Sequence, residues 1–518
     1  MAVFLSILAC ILLVNTNEAA RILGVFPTPS ISHQVVFRPL IQELVRRGHN
    51  ITVITTDPAF PKGKAPANLK EIDVHDISYN LWRKKLVSRK NNNDDILTQH
   101  SILLDLFVSM VDAQLKDENV KRIIHDKEQQ FDLLILEACV RPALGYSHRF
   151  KAPVILMSSL GGLPYNFETI GIPVHPIHYP SIPRRRINNV SLLEKISELY
   201  VYYKNELLVR GYRSIEHEML KKHFGPDTPP ITELNKNADM LFLNINPVFE
   251  GIRPVPPNII YMGGLHQNPS KDLPVDLKSY LDSSKNGVIY ISFGTNVDTN
   301  SLPADKIQVL VKTVSQLPYD VLWKWKGDEL PGRTDNIRIS KWFPQSDLLR
   351  HPKIKAFVTQ GGLQSTDEAI TAGVPLVVMP LLSDQFFNAE RYETHKIGIR
   401  VDLATVTEDQ FKGALLNVIE DDSYRENIAK LRTLMLDMVQ TPLERAVWWT
   451  EYVLRHGGAK HLKSPTANMT WAEYIELDLV LTGLAGLSVV MIVFIIFLRK
   501  LHKYVRCKIV AASKLKRN

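Results

Sequence analysis

The first 245 residues alternate short apolar runs with amphipathic stretches. Residues 21–27 are an apolar run of β type, and a loop of Pro and Ser follows it. Apolar residues then recur at helical spacing, at Phe37, Leu40, Ile41, Leu44 and Val45, until Gly48 interrupts them. Further β-type runs lie at 51–56, 131–138 and 153–158. This order of strand, helix and strand predicts a parallel α/β domain over residues 21–245.

The second half repeats the pattern after a proline-rich stretch. Residues 246–286 contain the text NPVFEGIRPVPPNIIYMGG followed by polar residues, and we interpret them as a linker between two domains. Short β-type runs then alternate with helical segments, at 288–294, 321–326, 337–340, 354–359 and 374–379. Helical text from 408 to 454 closes this part. The pattern predicts a second parallel α/β domain over residues 287–460.

Both ends of the chain carry apolar segments of membrane type. Residues 1–20 hold an apolar stretch, a polar patch and two alanines, the general form of a signal peptide. Residues 479–498 contain no charged side chain and would be about 30 Å long as a transmembrane helix, which matches the hydrocarbon core of a bilayer. Arg499 and Lys500 follow at once. By the positive-inside rule, the basic tail 499–518 is expected in the cytosol and the body on the other side of the membrane.

Charge and cysteine content narrow the class of protein. The formal net charge is +8, from 62 basic and 54 acidic residues. Eight of the basic residues lie in the tail 499–518, which has no acidic residue, so the body is neutral. Such a tail suits an anionic lipid surface better than nucleic acid. Cys139 is the one cysteine between the two apolar ends, and a buried thiol after an apolar strand is favoured there over a catalytic thiol.

One segment has the form of an anion-binding site. Residues 356–373 read AFVTQGGLQSTDEAITAG, in which an apolar run leads into Gly361 and Gly362 and then into a helix. The unpaired N–H groups and the dipole of a helix N-terminus favour a phosphate at such a turn. Glu368, one turn further, would be placed to accept from ribose hydroxyls. The same text also suits an ordinary tight turn in which Ser365 caps the helix.

Three motifs resemble the donor-binding signature of the UDP-glycosyltransferases. They are Trp342-Phe343-Pro344-Gln345, the text TQGGLQSTDEAI at 359–370, and Ser383-Asp384-Gln385, which match in order and spacing. The membrane-bound animal branch, and its insect members in particular, also has the signal peptide, acceptor domain, donor domain, single span and basic tail found along this chain. The resemblance implies an α/β fold of the GT-B type, with two Rossmann-like domains facing across a cleft, plus one C-terminal transmembrane helix.

The resemblance assigns the base, ribose and sugar contacts of the UDP-sugar. Trp342 would stack on uracil with Gln345 beside it, whereas without the family pattern a core aromatic residue beside Phe343 is the favoured interpretation of Trp342. Glu368 would bind the ribose. Asp384 and Gln385 would hydrogen-bond the sugar hydroxyls.

The resemblance also assigns the diphosphate contacts. The backbone of Gly361 and Gly362 would hold the diphosphate together with Gln364 and Ser365. Thr295, in the text SFGTN, lies where the family places a small hydroxyl near the phosphates.

A candidate catalytic pair lies in the first domain. His33, in the text SISH after the first apolar run, resembles the catalytic base of the family, although a histidine near a helix start is by itself more often a capping or surface residue. Neutral histidine suits removal of a proton from an attacking hydroxyl. The family normally orients this base with an aspartate, and the corresponding residue here is Glu137 in LILEA. One further methylene still lets a carboxylate reach the imidazole.

A second departure from the family keeps a rival function open. Most members have a histidine that contacts the diphosphate at the position of Gln360. An amide donates a hydrogen bond there but supplies no positive charge. The alternative is therefore a luminal nucleotide-sugar-binding protein, or pseudoenzyme, without turnover. A type I receptor ectodomain would instead predict β-sandwich text and paired cysteines, and the sequence has neither.

These features together predict the reaction. We expect inverting transfer of a hexose, glucose above all, from a UDP-sugar to a hydroxyl of a small lipophilic acceptor, giving a β-glycoside. No metal is expected, because the chain has no D-x-D pair and a helix N-terminus faces the leaving diphosphate. The family suggests detoxification of phenols, and hormone or pigment glycosylation is also open. A homo-oligomer is left open, and no nucleic-acid partner is expected.

The expected location is the membrane of the endoplasmic reticulum, with the catalytic body in the lumen. Three N-x-Ser/Thr sequons, at Asn50, Asn189 and Asn468, would be usable for glycosylation there. Lys514 and Lys516 stand near the end of the chain like a dilysine retrieval signal, and a solvated charge run explains them equally well.

Overall fold

The structure, a computed structural model, describes residues 19–515 apart from 88–94, 173, 181, 183, 185, 298, 300 and 301. The predicted signal peptide therefore lies, but for its last two residues, outside the described residues. The chain divides into two compact units, and the boundary along the chain falls between Ser464 and Pro465. The first unit contains two parallel sheets, and the second contains the C-terminal helix.

The first sheet has seven parallel strands in the order β3-β2-β1-β4-β5-β6-β7. Its strands are β1 (Arg21–Phe26), β2 (Asn50–Thr55), β3 (Leu69–Asp73), β4 (Leu133–Glu137), β5 (Val154–Ser158), β6 (Ala238–Leu243) and β7 (Ile259–Tyr261). The order reverses between β1 and β4, which are direct neighbours with Gly24 opposite Ile135. In an open parallel sheet a ligand binds at this reversal, beyond the carboxyl ends of the strands.

The second sheet has six parallel strands in the order β10-β9-β8-β11-β12-β13. Its strands are β8 (Val288–Ser292), β9 (Asp320–Lys324), β10 (Ile337–Ser340), β11 (Ile354–Thr359), β12 (Leu376–Val378) and β13 (Gly398–Arg400). The reversal lies between β8 and β11. The two predicted Rossmann-like sheets are therefore present.

Helices connect the strands of both sheets. Those of the first half are α1 (Ile31–Arg46), α2 (His75–Val87), α3 (Ile96–Gln114), α4 (Glu118–His125), α5 (Gly145–Phe150), α6 (Pro164–Ile170), α7 (Leu192–Phe224), α8 (Ile231–Leu234), α9 (Pro247–Glu250) and α10 (Val275–Ser283). Those of the second half are α11 (Ala304–Ser315), α12 (Gln345–Leu349), α13 (Leu363–Ala372), α14 (Gln385–His395), α15 (Glu408–Glu420), α16 (Asp422–Leu436), α17 (Pro442–His456), α18 (Trp471–Tyr474) and α19 (Leu477–Leu515).

The hydrophobic pattern explains why α1 lies on the first sheet. Its predicted apolar residues, Phe37, Leu40, Ile41, Leu44 and Val45, are all buried. They pack in one cluster with the strand residues of β1 and β2. Gly48 then turns the chain with a φ of +96°, a conformation that costs little only for glycine. This short connection returns the chain to β2 and fixes the start of α1 beside the end of β1.

Two elements do not follow the predicted domain boundaries. Strand β7 lies within the predicted linker, yet it is the edge strand of the first sheet. Helix α17 comes after the second sheet, yet its residues Ala446 and Val447 pack into the cluster of β1 and α1. Arg47 confirms this return with an ion pair of 2.9 Å to Glu451. Burial of apolar surface, rather than order along the chain, decides where these elements pack.

Helix α19 contains the predicted transmembrane segment. It runs from Leu477 to Leu515, so it continues beyond 498 through most of the basic tail. Residues Leu477–Ser513 are long and apolar enough to cross a membrane. Helix α3 passes the same test of length and composition, but it contributes buried residues to the core of the first unit. The apolar C-terminal helix expected from the sequence is therefore present.

Candidate active site

His33 lies in the first turn of α1, just beyond the end of β1. Its Nδ1 is 2.7 Å from Oε1 of Glu137, the last residue of β4. Because β1 and β4 are parallel neighbours, their carboxyl ends meet at the same edge of the sheet. The structure thus brings together the two residues of the predicted catalytic pair. With Nδ1 held by the carboxylate, Nε2 is the ring nitrogen left for a substrate hydroxyl.

Three donors fix the carboxylate of Glu137, whose side chain is fully buried. Oε1 accepts from His33 and also from the thiol of Cys139, with an Sγ–Oε1 distance of 3.4 Å. Oε2 accepts from the backbone N–H of Thr28 at 3.0 Å. The longer side chain of glutamate is therefore held at both oxygens, and it meets the imidazole at normal hydrogen-bond distance.

Cys139 is a thiol rather than a reactive thiolate. Burial raises the pKa of its Sγ well above the ordinary value, and the charge of Glu137 adds to that effect. A thiol with a raised pKa is a weak nucleophile. Cys139 therefore serves as a donor to Glu137, in agreement with the expectation of an inert thiol after an apolar strand.

Trp342 presents its ring at the surface, with 63 % of the residue exposed. Nζ of Lys324 lies 4.4 Å from the ring centroid. The neighbouring Phe343 is buried in the core instead. The alternative reading of Trp342 as a core aromatic residue is thus wrong, and its exposed face is available for a planar base.

Gln345, at the start of α12, bonds to two residues expected at the nucleotide and to Tyr290. Its Nε2 donates to Oγ of Ser365 at 2.9 Å and to Oε2 of Glu368 at 2.7 Å. Its Oε1 accepts from the hydroxyl of Tyr290 at 3.1 Å. Burial raises the pKa of Glu368 to about 7, although the bond from Gln345 acts in the opposite direction. Burial thus favours the neutral form of the carboxyl group to which the resemblance assigns the ribose.

The glycine turn between β11 and α13 has the geometry expected of an anion site. Gly361 has a φ of +88°, and a Cβ there would lie 2.6 Å from Cγ2 of Val378. Gly362 is the N-cap residue of α13, and no acidic side chain lies in the first turn. Ser365 lies inside this turn, so it does not cap the helix. The turn therefore has the glycine backbone and the helix N-terminus that favour an anion.

Gln360 fills the corner between this turn and the one after β8. A Cβ on Gly294, whose φ is +76°, would collide with Nε2 of Gln360. Its Oε1 accepts from the hydroxyl of Thr359 at 3.2 Å. Thr295 follows Gly294 directly and is half-buried. The turn that carries Thr295 therefore packs against Gln360 at Gly294.

Gln364 forms a bond to the first half of the chain. Its Nε2 donates to the backbone oxygen of Ser159 at 3.0 Å. Its own backbone oxygen lies 3.2 Å from Nε2 of the buried His266. The predicted diphosphate contact of Gln364 would require its side chain to leave Ser159. In this structure Gln364 bridges the two sheets of the first unit.

Asp384, the N-cap residue of α14, lies within electrostatic reach of His33. Burial raises the pKa of Asp384 to about 6, while Asn388 and the imidazole of His33 act to lower it. Asn388 donates to Oδ2 of Asp384 at 3.0 Å and to the backbone oxygen of Gly361 at 2.9 Å. Oε1 of Gln385 accepts from the backbone N–H groups of residues 381 and 382. Its Nε2 can therefore donate to a ligand.

The sequence reasoning missed Lys324 and Asn388. Lys324 is the last residue of β9, and its Nζ donates to the backbone oxygen of Gly294 at 3.2 Å. Burial lowers the pKa of Lys324 to about 8, helped by the charge of Lys326. A basic residue at the carboxyl end of a strand is a signal that the sequence offers. Asn388 offers one as well, since it stands four residues after Asp384, the spacing of neighbours on one helix face. Only its bond to the backbone oxygen of Gly361 depends on the fold.

A hydrogen bond connects the loop before α1 with the loop after β8. Oγ of Ser30, in the loop before α1, accepts from Nδ2 of Asn296 at 3.0 Å. Asn296 directly follows Thr295. The loop that carries His33 therefore contacts the loop after β8.

One cluster of the described residues offers three ligand atoms that could hold a metal. It consists of His33, Glu137 and Cys139, whose ligand atoms lie within 4.8 Å of one another. These groups already bond to one another at the catalytic pair. The expectation that no metal is needed stays a prediction.

The comparisons with known proteins agree with this geometry. The family described as UDP-glucoronosyl and UDP-glucosyl transferase matches residues 21–515. An ecdysteroid UDP-glucosyltransferase of Spodoptera littoralis nuclear polyhedrosis virus is 37 % identical over 487 residues, covering 90 % of this chain and 94 % of that protein. UDP-glucosyltransferase 2 of Dactylopius coccus is 31 % identical over 477 residues, covering 90 % of both chains.

Solved glycosyltransferase structures share the fold. A UDP-glucose:anthocyanidin 3-O-glucosyltransferase in complex with UDP superposes with a TM-score of 0.58 at 16 % identity, covering 85 % of this chain and 99 % of that one. SnogD from Streptomyces nogalater gives a TM-score of 0.55 at 17 % identity, with 84 % and 100 % covered. The fold is therefore GT-B. The chain belongs to the UDP-glucuronosyl and UDP-glucosyl transferase family and is a glycosyltransferase that uses a UDP-sugar donor.

Proposed function

We propose that this protein transfers glucose from UDP-glucose, with inversion, to a hydroxyl of a small lipophilic acceptor. The observation that carries the proposal is the 2.7 Å bond between His33 and Glu137, at a position where His33 also influences the pKa of Asp384. This arrangement supports a base and a sugar-binding carboxylate that act on one substrate. Transfer to a hydroxyl requires an oriented base, whereas nucleotide binding alone does not.

The base acts through Nε2 of His33. The acceptor hydroxyl gives its proton to Nε2 while its oxygen attacks the anomeric carbon, and the bond from that carbon to the UDP oxygen breaks. Glu137 balances the positive charge that the imidazole gains. A single displacement inverts the anomeric carbon, so an α-linked UDP-sugar gives a β-glycoside.

The leaving diphosphate gains negative charge in this step. The N-terminus of α13, with Gly361 and Gly362 in front of it, supplies backbone N–H groups and the positive end of a dipole. Ser365 and Lys324 stand beside it. We propose that these groups perform the role of a cation, and EDTA should then leave most of the activity intact.

The names of the relatives suggest the class of acceptor. Seven of them, from insect viruses, are described as ecdysteroid UDP-glucosyltransferases. We propose that hydroxylated steroids of this kind belong in the acceptor panel beside simple phenols. An apolar pocket discriminates weakly between shapes, so several acceptors should react.

The alternative of a pseudoenzyme rests on Gln360. Its amide is packed against Gly294, and it offers no positive charge to the diphosphate. This alternative predicts UDP binding without UDP release in the presence of any acceptor.

We further propose that the protein is a single-pass protein of the endoplasmic reticulum. Helix α19 supports a membrane anchor, and the basic residues after 498 support a cytosolic tail. The body, with its sequons, would then lie in the lumen.

The test is a UDP-release assay on microsomes with UDP-glucose, UDP-galactose and UDP-glucuronate over the acceptor panel, followed by NMR of the product. A β-anomeric proton is expected. An α-linked product would refute the single displacement. UDP binding with no release for every acceptor would establish the pseudoenzyme instead.

A further inference from the structure

Helix α7, with 33 residues, is the longest helix of the first unit. One face packs on the domain through Val209, Met219 and Leu220, which are buried. Glu216, on that same face, pairs with Arg141 at 2.9 Å. Arg141 follows Cys139 by two residues, so the inner face of α7 contacts the segment that begins at the catalytic pair.

The outer face of the same helix is apolar over its first half. It presents an outer stripe of six exposed residues, Leu192, Ile196, Leu199, Tyr200, Tyr203 and Leu207. Their exposed fractions lie between 43 and 74 %. The spacing i, i+4, i+7, i+8, i+11, i+15 places them on one side of the helix over about 22 Å. A surface helix normally turns polar residues to this side.

Basic side chains border the outer stripe, whereas the acidic side chains of the same turns lie away from it. Lys195 and Lys204 border it on opposite sides, are exposed, and form no ion pair with a described residue. Nζ of Lys204 lies 5.5 Å from the ring centroid of Tyr200. The acidic residues of the same turns point elsewhere.

Those acidic residues are engaged with the body. Glu194 pairs with Arg186 at 2.6 Å and caps the helix, and Glu198 lies 3.7 Å from Arg184. Glu206 is buried. The exposed side of this half is therefore apolar and positive, without an exposed carboxylate on the outer stripe.

The outer stripe ends at Leu207. On the same side, the following exposed positions are Arg210, Gly211, Ser214 and Glu218. The outer stripe is thus confined to the first 16 residues of the helix; Ile215, which is 52 % exposed, lies on another side of it. The exposed side of α7 therefore changes from apolar to polar after Leu207.

We propose that the outer stripe lies in the interface of a lipid bilayer. An apolar face bordered by lysines, with two exposed tyrosines, has the composition of an interfacial amphipathic helix. The lysines would meet anionic head groups. A second copy of the chain fits less well, because lysine is depleted at protein interfaces. The proposed anchor α19 would hold the protein at a bilayer, and in that respect the inference rests on the proposed function.

The test uses the full chain in vesicles of phosphatidylcholine and phosphatidylserine that carry a photoactivatable acyl chain. Trypsin cleaves after Lys195 and Lys204, so residues 196–204 are recovered as one peptide. Lipid labelling of this peptide is expected, and Leu192→Glu with Leu207→Glu should reduce it by about tenfold without changing its sequence. The matched control is Val275→Glu with Leu434→Glu, which changes two exposed apolar residues elsewhere and should leave the labelling unchanged.

The peptides of α19 distinguish the two proposals. Labelling of 477–498 without labelling of 196–204 would overturn the inference while supporting the anchor. Labelling of 196–204 alone would support the inference and refute the anchor. A disulfide between two copies of the Leu199→Cys variant, with no lipid labelling at 196–204, would assign the outer stripe to a dimer and overturn the proposal.

Discussion

At the scale of single residues, the catalytic pair depends on two side chains that are 104 positions apart. His33 is half-buried, whereas Glu137 is fully buried and held by the N–H of Thr28 as well. The histidine can therefore meet a substrate while its partner cannot move. This division suits a base that must be oriented before each turnover.

We expect His33→Ala to lower kcat by a factor of about 10²–10⁴, because the general base is lost. The affinity for UDP should stay unchanged, since the nucleotide contacts lie on the second sheet. UDP release and UDP binding measure the two effects. The matched control is His75→Ala, a histidine at the start of α2 beyond strand β3 of the same sheet. An undiminished rate in His33→Ala would place the base elsewhere.

At the scale of elements, the proposed donor site depends on the turn between β11 and α13. The backbone of this turn lies close to Val378 of β12 at Gly361, and α13 begins directly after Gly362. Only glycine meets both the positive φ and the close approach at position 361.

We expect Gly361→Ala to reduce the free energy of unfolding by about 1–3 kcal/mol or more, from left-handed strain and the contact with Val378. UDP affinity should fall with it. The matched control is Gly413→Ala in α15, where a Cβ meets no atom within 4 Å. That change should stabilise the protein by roughly 0.5–1 kcal/mol. Thermal unfolding measures both changes in stability. A Gly361→Ala variant as stable as the parent would contradict the close approach of this backbone to Val378.

Helix α13 also buries a carboxyl group on its inner side. Asp367 is 2 % exposed, and its Oδ2 has no hydrogen-bond partner. Burial, and then the charge of Glu368, raise the pKa of Asp367 from 3.8 to about 8. The folded state therefore holds the proton more tightly than the unfolded state, and it loses stability as the pH rises from about 4 to about 8.

We expect Asp367→Asn to remove this loss, because the amide stays neutral. Its melting temperature should match that of the parent near pH 4, exceed it increasingly up to about pH 8, and keep a constant advantage above that pH. Unfolding curves across this range provide the measurement, with the exposed Asp272→Asn as the control. An advantage that does not grow with pH would show that Asp367 is ionised in the folded protein throughout.

At the scale of the whole molecule, one compact unit carries the chemistry and a second unit carries the apolar helix. The first unit is closed by contacts distant in sequence, among them the return of α17 to the first sheet. The basic tail 499–518 holds the two lysines of the proposed retrieval signal; Lys514 lies in the last turn of α19, and Lys516 lies outside the described residues.

We expect Lys514→Ser with Lys516→Ser to let the protein leave the endoplasmic reticulum, so that its sequon-linked glycans become resistant to endoglycosidase H. Lys500→Ser with Lys503→Ser removes the same charge from the tail without touching the signal and serves as the control. If the lysines only meet anionic lipid, each contributes about 1 kcal/mol of surface attraction and location is unchanged. Glycans that stay sensitive in the first variant would exclude retrieval.

The sequence by itself determined the two parallel sheets, helix α1 with its buried face, and the apolar C-terminal helix. Local periodicity and turn residues are sufficient for these elements, because burial of one face fixes how each element packs. The motifs also identified the family, and from that resemblance they predicted the residues of the donor site.

Only the tertiary structure decided which side chains meet. It placed β7 in the first sheet and α17 on its helical layer, because distant apolar surfaces are paired by packing and not by order along the chain. It brought Nζ of Lys324 to the ring of Trp342, Nδ2 of Asn388 to the backbone oxygen of Gly361, and Gln364 to Ser159. Contacts across such separations in sequence leave no local pattern. The apolar outer side of α7 likewise became visible only once its buried side was known.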